Sequence, residues 1–207
     1  MTLPAASLPP SVPPLVLASQ SPRRAQLLAM LGLTFDIVPA EIDETYQAGE
    51  DAGEHAERLA REKALVVAER RPEALVVGSD TVVRIDDAVL GKPGNDDEAT
   101  TMLLRLQGRE HVVATGVAVA RGGQAVSAVE QVTVWFKPFD RDAARAYVAT
   151  GEPRDKAGAY GIQGYGAALV ERIEGDFFAV MGLPVCTLIQ LLSTMGFRYD
   201  FRGLVPD

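Results

Sequence analysis

Apolar and polar positions alternate along the chain with two periods. Leu15, Val16, Leu17 and Ala18 form a short apolar run that reads as a buried strand. Ser21 and Pro22 then offer an N-cap and a first-turn proline, Leu27, Leu28 and Leu31 an apolar face, and Gly32 a C′ terminator, so a helix follows the strand directly. TFDIVP (34–39) alternates as a second strand ended by Pro39, and residues 40–54 form an acidic loop. Ala56, Leu59, Ala60, Ala64 and Val67 recur at helical spacing and predict a long helix over 54–71. The apolar run 74–86 predicts a strand that breaks at Gly78, Ser79 and Asp80 and resumes, with Asp86 and Asp87 turning it back through Val89 and Leu90. Helices are predicted over 96–108, closed by Gly108, over 140–150, and from Pro184 to about Met195. HVVATGVAVA and QAVSAVEQVTVWF form two long strands joined through Arg121, Gly122 and Gly123; strand and turn follow in ALVERIEGDFFAVMGLP, then a short tail.

The alternation of strands and helices predicts a single α/β domain of two lobes over 15–207, preceded by a Pro-rich flexible lead-in over 1–14 that lacks the basic start of a secretion signal. With 47% hydrophobic and 23% charged residues, the composition is that of a soluble globular protein. A net charge of −8 argues against nucleic-acid or membrane-surface binding, because no wide basic field gathers phosphates. Any phosphate ligand is then held locally. No apolar run approaches the roughly 20 residues of a membrane span, and a single cysteine, Cys186, fits a reducing cytoplasm. Beside Val185 and Leu188, that cysteine is expected to be a small core residue.

Several residues sit oddly in their elements. Arg23 and Arg24 occupy the first turn of a helix, where cations oppose the macrodipole at about 0.3–1 kcal/mol each. An anion opposite them would remove that penalty, and the free N–H groups of the helix start, with the Ser19 and Ser21 hydroxyls, suit a polyphosphate. Lys63 falls on the apolar stripe of its helix, so its stem either reaches out to water or carries the ammonium into a cleft. Asp80, at the end of a buried strand, suits a general base or metal ligand, or a hydrogen-bonded turn. Asp43 and Glu44 are a carboxylate pair for a divalent cation, or part of a solvated loop.

Lys92 lies in GKPGN, which lacks the Gly-Lys-Ser/Thr ending of a Walker A loop. Arg154, Asp155 and Lys156 open a glycine-rich stretch in which Gln163 both donates and accepts, as reading a base edge requires. His55 and His111 are far apart, without cysteines, and read as structural or exposed. Trp135 and Phe136 read as core or interface aromatics, and no nucleophile-elbow sequence supports a Ser-His-Asp hydrolase.

ASQSPRRAQLL, EIDE, REKA, GSDTVV, LGKPGN, DKAGAYGIQG and VMGLP, in this order and spacing, resemble the Maf family of nucleoside triphosphate pyrophosphatases over nearly all of 15–195. The resemblance implies an elongated mixed β-sheet with flanking helices and a central cleft, similar to the inosine triphosphate pyrophosphatase fold, and usually a homodimer. It implies cleavage of a triphosphate between the α and β phosphates with a divalent cation, Mg²⁺ or Mn²⁺. Asp80 matches the catalytic aspartate; Ser19, Arg23, Arg24, Lys63 and Lys92 match positions lining the phosphate cleft. SDT with IQG resembles the dTTP/UTP branch, with Arg23, Thr81 and Gln163 at the positions of substrate choice. The expected site is therefore catalytic Asp80; substrate-binding Ser19, Ser21, Arg23, Arg24, Lys63, Thr81, Lys92, Asp155 and Gln163; and metal-binding Asp80 with Asp43 or Glu44. Two other readings stay open: a nucleotide-binding regulator of cell division without turnover, and a purine-cleaving relative of inosine triphosphate pyrophosphatase.

Overall fold

The computed structural model describes residues 12–207, so most of the lead-in expected over 1–14 lies outside the described residues. A seven-stranded mixed sheet runs β2 (Asp36–Ile37), β1 (Leu15–Leu17), β3 (Leu75–Ile85), β5 (Glu110–Arg121), β6 (Gln124–Phe136), β7 (Val170–Glu174), with β4 (Ala88–Leu90) paired to the far end of β3. β1 is parallel to β2 and β3, and every other pairing is antiparallel.

The long strand β3 sets the shape of the molecule. On one edge β5 accompanies it from Val76↔Ala120 to Arg84↔Val112. On the other edge β1 pairs only with Leu75–Val77 and β4 only with Val83–Ile85, so the stretch between them has no strand neighbour there. The expected break at Gly78, Ser79 and Asp80 does not occur, because the unbroken β5 ladder holds the strand extended.

Gly78 has another purpose. Helix α2 (Ala52–Arg70) crosses β3 and β5 so closely that a Cβ on Gly78 would lie 2.2 Å from the Ala60 carbonyl oxygen, and one on Gly116 2.1 Å from that of Ala56. Ala60 and Ala64 pack here against Val16, Val76 and Ala118, small residues throughout. The helix begins at Ala52, two residues before the expected start, because Asp51 and Glu54 complete a capping box.

On the opposite face, α1 (Pro22–Met30) and α6 (Val185–Thr194) bury Leu27, Leu28, Leu188 and Leu192 in one cluster with Leu15 and Leu17 of β1, Leu75 and Val77 of β3 and Val117 and Val119 of β5. α3 (Asp96–Leu106) and α4 (Arg141–Ala149) bury Leu103, Leu106 and Tyr147 with Phe136 at the far end of the sheet. Three expectations are corrected. TFDIVP contributes only Asp36–Ile37 as strand. The tail is a hairpin, β8 (Phe197–Tyr199) with β9 (Leu204–Pro206), tied to α1 by the Tyr199 hydroxyl donating to the Leu31 carbonyl at 2.6 Å. Cys186 is exposed, since α6 turns Leu188 and Leu192 inward and leaves Cys186 on its outer side.

Candidate active site

The open edge of β3, between β1 and β4, floors a cleft of about 800 Å³. Alternation along the strand sends Asp80 toward α2 and sends Ser79 and Thr81 toward the opposite face. Asp80 is only 9% exposed, and its Oδ1 lies 2.7 Å from Lys63 Nζ. Lys63, 7% exposed on the apolar stripe, is thus directed into the cleft, and Glu44 Oε1 lies 2.6 Å from the same ammonium. The acidic pair separates: Glu44 lines the cleft, whereas Asp43 Oδ1 accepts from the Thr45 N–H and hydroxyl in a local turn. Of the two alternatives, Glu44 is the acid that lines the cleft, and the Asp43 carboxylate is engaged by its own loop. Among the described residues no group of three or more His, Cys, Asp or Glu is arranged to hold a metal ion; Asp80 and Glu44 are the two carboxylates that meet at the Lys63 ammonium.

Both arginines of α1 turn into the cleft. Arg24 donates through Nε to the Gly182 carbonyl at 2.8 Å, through Nη1 to Ser19 Oγ at 3.0 Å and through Nη2 to Thr81 Oγ1 at 3.3 Å. Desolvation pulls its pKa down, opposed by the Asp80 charge; with five donors and three acceptors used, it still has donors to offer. Gly182, at φ 112°, adopts the left-handed turn that aims its carbonyl at both Arg24 and Ser79. Ser21 stands at the N-cap position as expected but caps nothing with its side chain; its N–H goes instead to Ser19 Oγ.

Arg23 spans the cleft mouth to Asp155 at 2.7 Å, and Lys156 holds the other Asp155 oxygen at 2.6 Å. Burial would raise the Asp155 pKa, but these two cations hold its carboxyl below the usual range. Lys92 lines the cleft, exposed and without an ion-pair partner among the described residues. Gln163 also lines the cleft, half-buried, and its amide makes no hydrogen bond there. Arg154 turns away to Asp96.

Sequence reasoning missed the group that holds the Glu44 loop. Tyr46 stacks on His55 with ring centroids 3.5 Å apart, His55 Nδ1 lies 2.6 Å from Glu50, and Arg58 binds Glu50 and the Thr45 carbonyl. The signal was present: His55, Leu59 and Lys63 follow each other at four-residue spacing on α2.

The arrangement joins the carboxylates of Asp80, Glu44 and Asp155 with five cations, Arg23, Arg24, Lys63, Lys92 and Lys156, in a cleft that the Gln163 amide also lines. A family model described as "Maf-like protein" matches residues 14–195. A dTTP/UTP pyrophosphatase of Symbiobacterium thermophilum is 48% identical over 183 residues, 88% of this chain and 94% of that protein. One of Vibrio parahaemolyticus is 49% identical over 180 residues, 86% of this chain and 95% of that protein. A HAM1 protein from Coxiella burnetii overlays with a TM-score of 0.45 at 18% identity, covering 77% of this chain and 81% of that one.

Proposed function

Because this chain belongs to the Maf family, we propose that it hydrolyses dTTP and UTP between the α and β phosphates, releasing a monophosphate and pyrophosphate. The observation that carries the reading is the convergence of Arg23, Arg24, Lys63 and Lys92 on the cleft that holds the buried carboxylate of Asp80. Five cations against the three carboxylates of Glu44, Asp80 and Asp155 leave the cleft with an excess of positive charge, which a triphosphate tail answers.

Asp80 has the position of a general base. The β5 ladder holds β3 extended under it and Lys63 Nζ fixes its Oδ1 at 2.7 Å, so the carboxylate is placed to orient the attacking water and accept its proton. Arg23, Arg24 and Lys92 offset the charge that builds on the departing pyrophosphate. Asp80 and Glu44, hard oxygen donors brought together at the Lys63 ammonium, are the residues that would hold Mg²⁺ or Mn²⁺; such an ion would neutralise phosphate charge. The Gln163 amide, one donor and one acceptor, would pair with O4 and N3–H of thymine or uracil; held in that orientation it meets cytosine donor to donor and acceptor to acceptor, which penalises that base. A cytoplasmic homodimer belongs to the same proposal and rests on the family resemblance; no helix among the described residues is long and apolar enough to cross a membrane.

The test is a panel of dTTP, UTP, CTP and GTP with Mg²⁺ or Mn²⁺, scored for pyrophosphate against orthophosphate. Fast pyrophosphate release from dTTP and UTP is expected. Equal rates for all four overturn the base preference, orthophosphate moves the cut to the terminal bond, and tight binding without product restores the regulator reading.

A further inference from the structure

The turn that carries Gln163 is braced by two side chains outside the cleft. Tyr147, buried near the end of α4, donates its hydroxyl to Glu152 Oε1 at 2.8 Å. Backbone N–H groups on both sides of Gln163 run to this pair: Gly161 to the Tyr147 oxygen at 3.1 Å, Tyr165 to Glu152 Oε2 at 2.9 Å, and Gly166 to Oε1 at 3.0 Å. The turn is seated as close as backbone allows. A Cβ on Gly164 would lie 2.5 Å from Glu152 Oε2, and one on Gly166 2.1 Å from the Gly161 carbonyl oxygen and 2.7 Å from the Tyr147 hydroxyl. Glu152 has no ion-pair partner among the described residues, so these N–H and O–H groups are what answers its charge, and bonds to a charged acceptor are roughly twice as strong as neutral ones.

We propose that Tyr147 and Glu152 are positioning residues for base selection, holding the 161–166 turn so that the Gln163 amide meets the nucleobase edge in a single orientation. Neither touches substrate. The proposal rests on the reading that Gln163 contacts the base. An amide discriminates only when its donor and acceptor are held within about half an ångström of the matching edge, and a mobile turn would let it pair with any base.

The experiment compares kcat and KM for dTTP and CTP in the wild type, Gln163→Ala, Tyr147→Phe, Glu152→Gln and the Tyr147→Phe/Gln163→Ala double variant. Each single variant is expected to lower the dTTP:CTP ratio of kcat/KM by roughly 10-fold or more, mainly through the dTTP KM. Tyr147→Phe adds no further loss once Gln163 is gone, because both act through one amide. A ratio unchanged in Tyr147→Phe while Gln163→Ala lowers it overturns the positioning role, as does additivity in the double variant. A ratio unchanged in Gln163→Ala overturns the reading of Gln163 itself. A purely structural brace would lower Tm and slow both nucleotides alike, leaving the ratio intact; that too overturns the proposal. Tyr147→Phe, nearly isosteric, decides the matter if Glu152→Gln fails to fold.

Discussion

Lys63 and Asp80 lie 2.7 Å apart across 17 residues of sequence, joined because Gly78 and Gly116 let α2 settle onto the sheet. Glu44 still faces Lys63 when Asp80 is replaced, whereas replacing Lys63 leaves two carboxylates without their cation. Asp80→Asn is expected to cut kcat by about 10²–10⁴ with the fold intact, as removal of a general base does. Lys63→Met leaves Asp80 and Glu44 facing each other unneutralised and is expected to lower both kcat and stability. Turnover near wild type in Asp80→Asn would remove it from the chemistry.

The two glycines should tolerate no side chain. Gly78→Ala and Gly116→Ala each force α2 away from β3 or β5, at a cost of about 1–3 kcal/mol or more by the measure of overpacked interiors, and shift Lys63 relative to Asp80. Urea unfolding and dTTP turnover, measured on the same preparations, should fall together. Unchanged stability would mean that the helix can yield without loss.

A divalent cation at Asp80 and Glu44 predicts that EDTA abolishes turnover and that Mg²⁺ or Mn²⁺ restores it. Glu44→Gln should then raise the metal concentration needed for half-maximal rate. Asp43→Asn should leave that concentration alone, since the Asp43 carboxylate is occupied with Thr45. Reversal of that order would exchange the roles of the two acids.

His111 predicts an acid limb in stability. Its Nε2 lies 2.7 Å from the Tyr160 hydroxyl, its Nδ1 is buried without a partner, and burial pulls its pKa from 6.5 to about 4. The unfolded chain therefore takes up this proton near pH 6.5 and the folded chain only near 4. Stability from this group is full above 6.5 and falls as pH drops toward 4, by up to about 3 kcal/mol. Denaturant melts across pH 4–7 should show the slope, and the His111→Leu/Tyr160→Phe variant, which removes both polar partners together, should flatten it. An unaltered slope would assign the acid limb to other groups.

Local signals located elements better than pairings. Proline and glycine punctuation marked α1, α3 and α4, with Gly32, Gly108 and Gly151 all at positive φ where helices end. The same local reasoning broke β3 at Gly78, because a glycine inside a strand looks like a stop until the helix above it is known. Cys186 was misplaced for a similar reason: apolar neighbours in sequence do not say which side of α6 faces inward.

Residue chemistry alone singled out Arg23, Arg24, Lys63, Asp80 and Gln163, since cations at a helix start or on an apolar stripe, and a carboxylate at the end of an apolar run, are costly unless something answers them. Which carboxylate of the 43–44 pair turns inward, that Arg24 is held by the Gly182 carbonyl from 158 positions away, and that a tyrosine and a glutamate brace the Gln163 turn were settled only by the folded chain. Desolvation and charge are properties of a residue and its near neighbours and leave their mark in the sequence. A distance between segments depends on how strands pair and how closely a helix can approach them, and exists only once the whole sheet has formed.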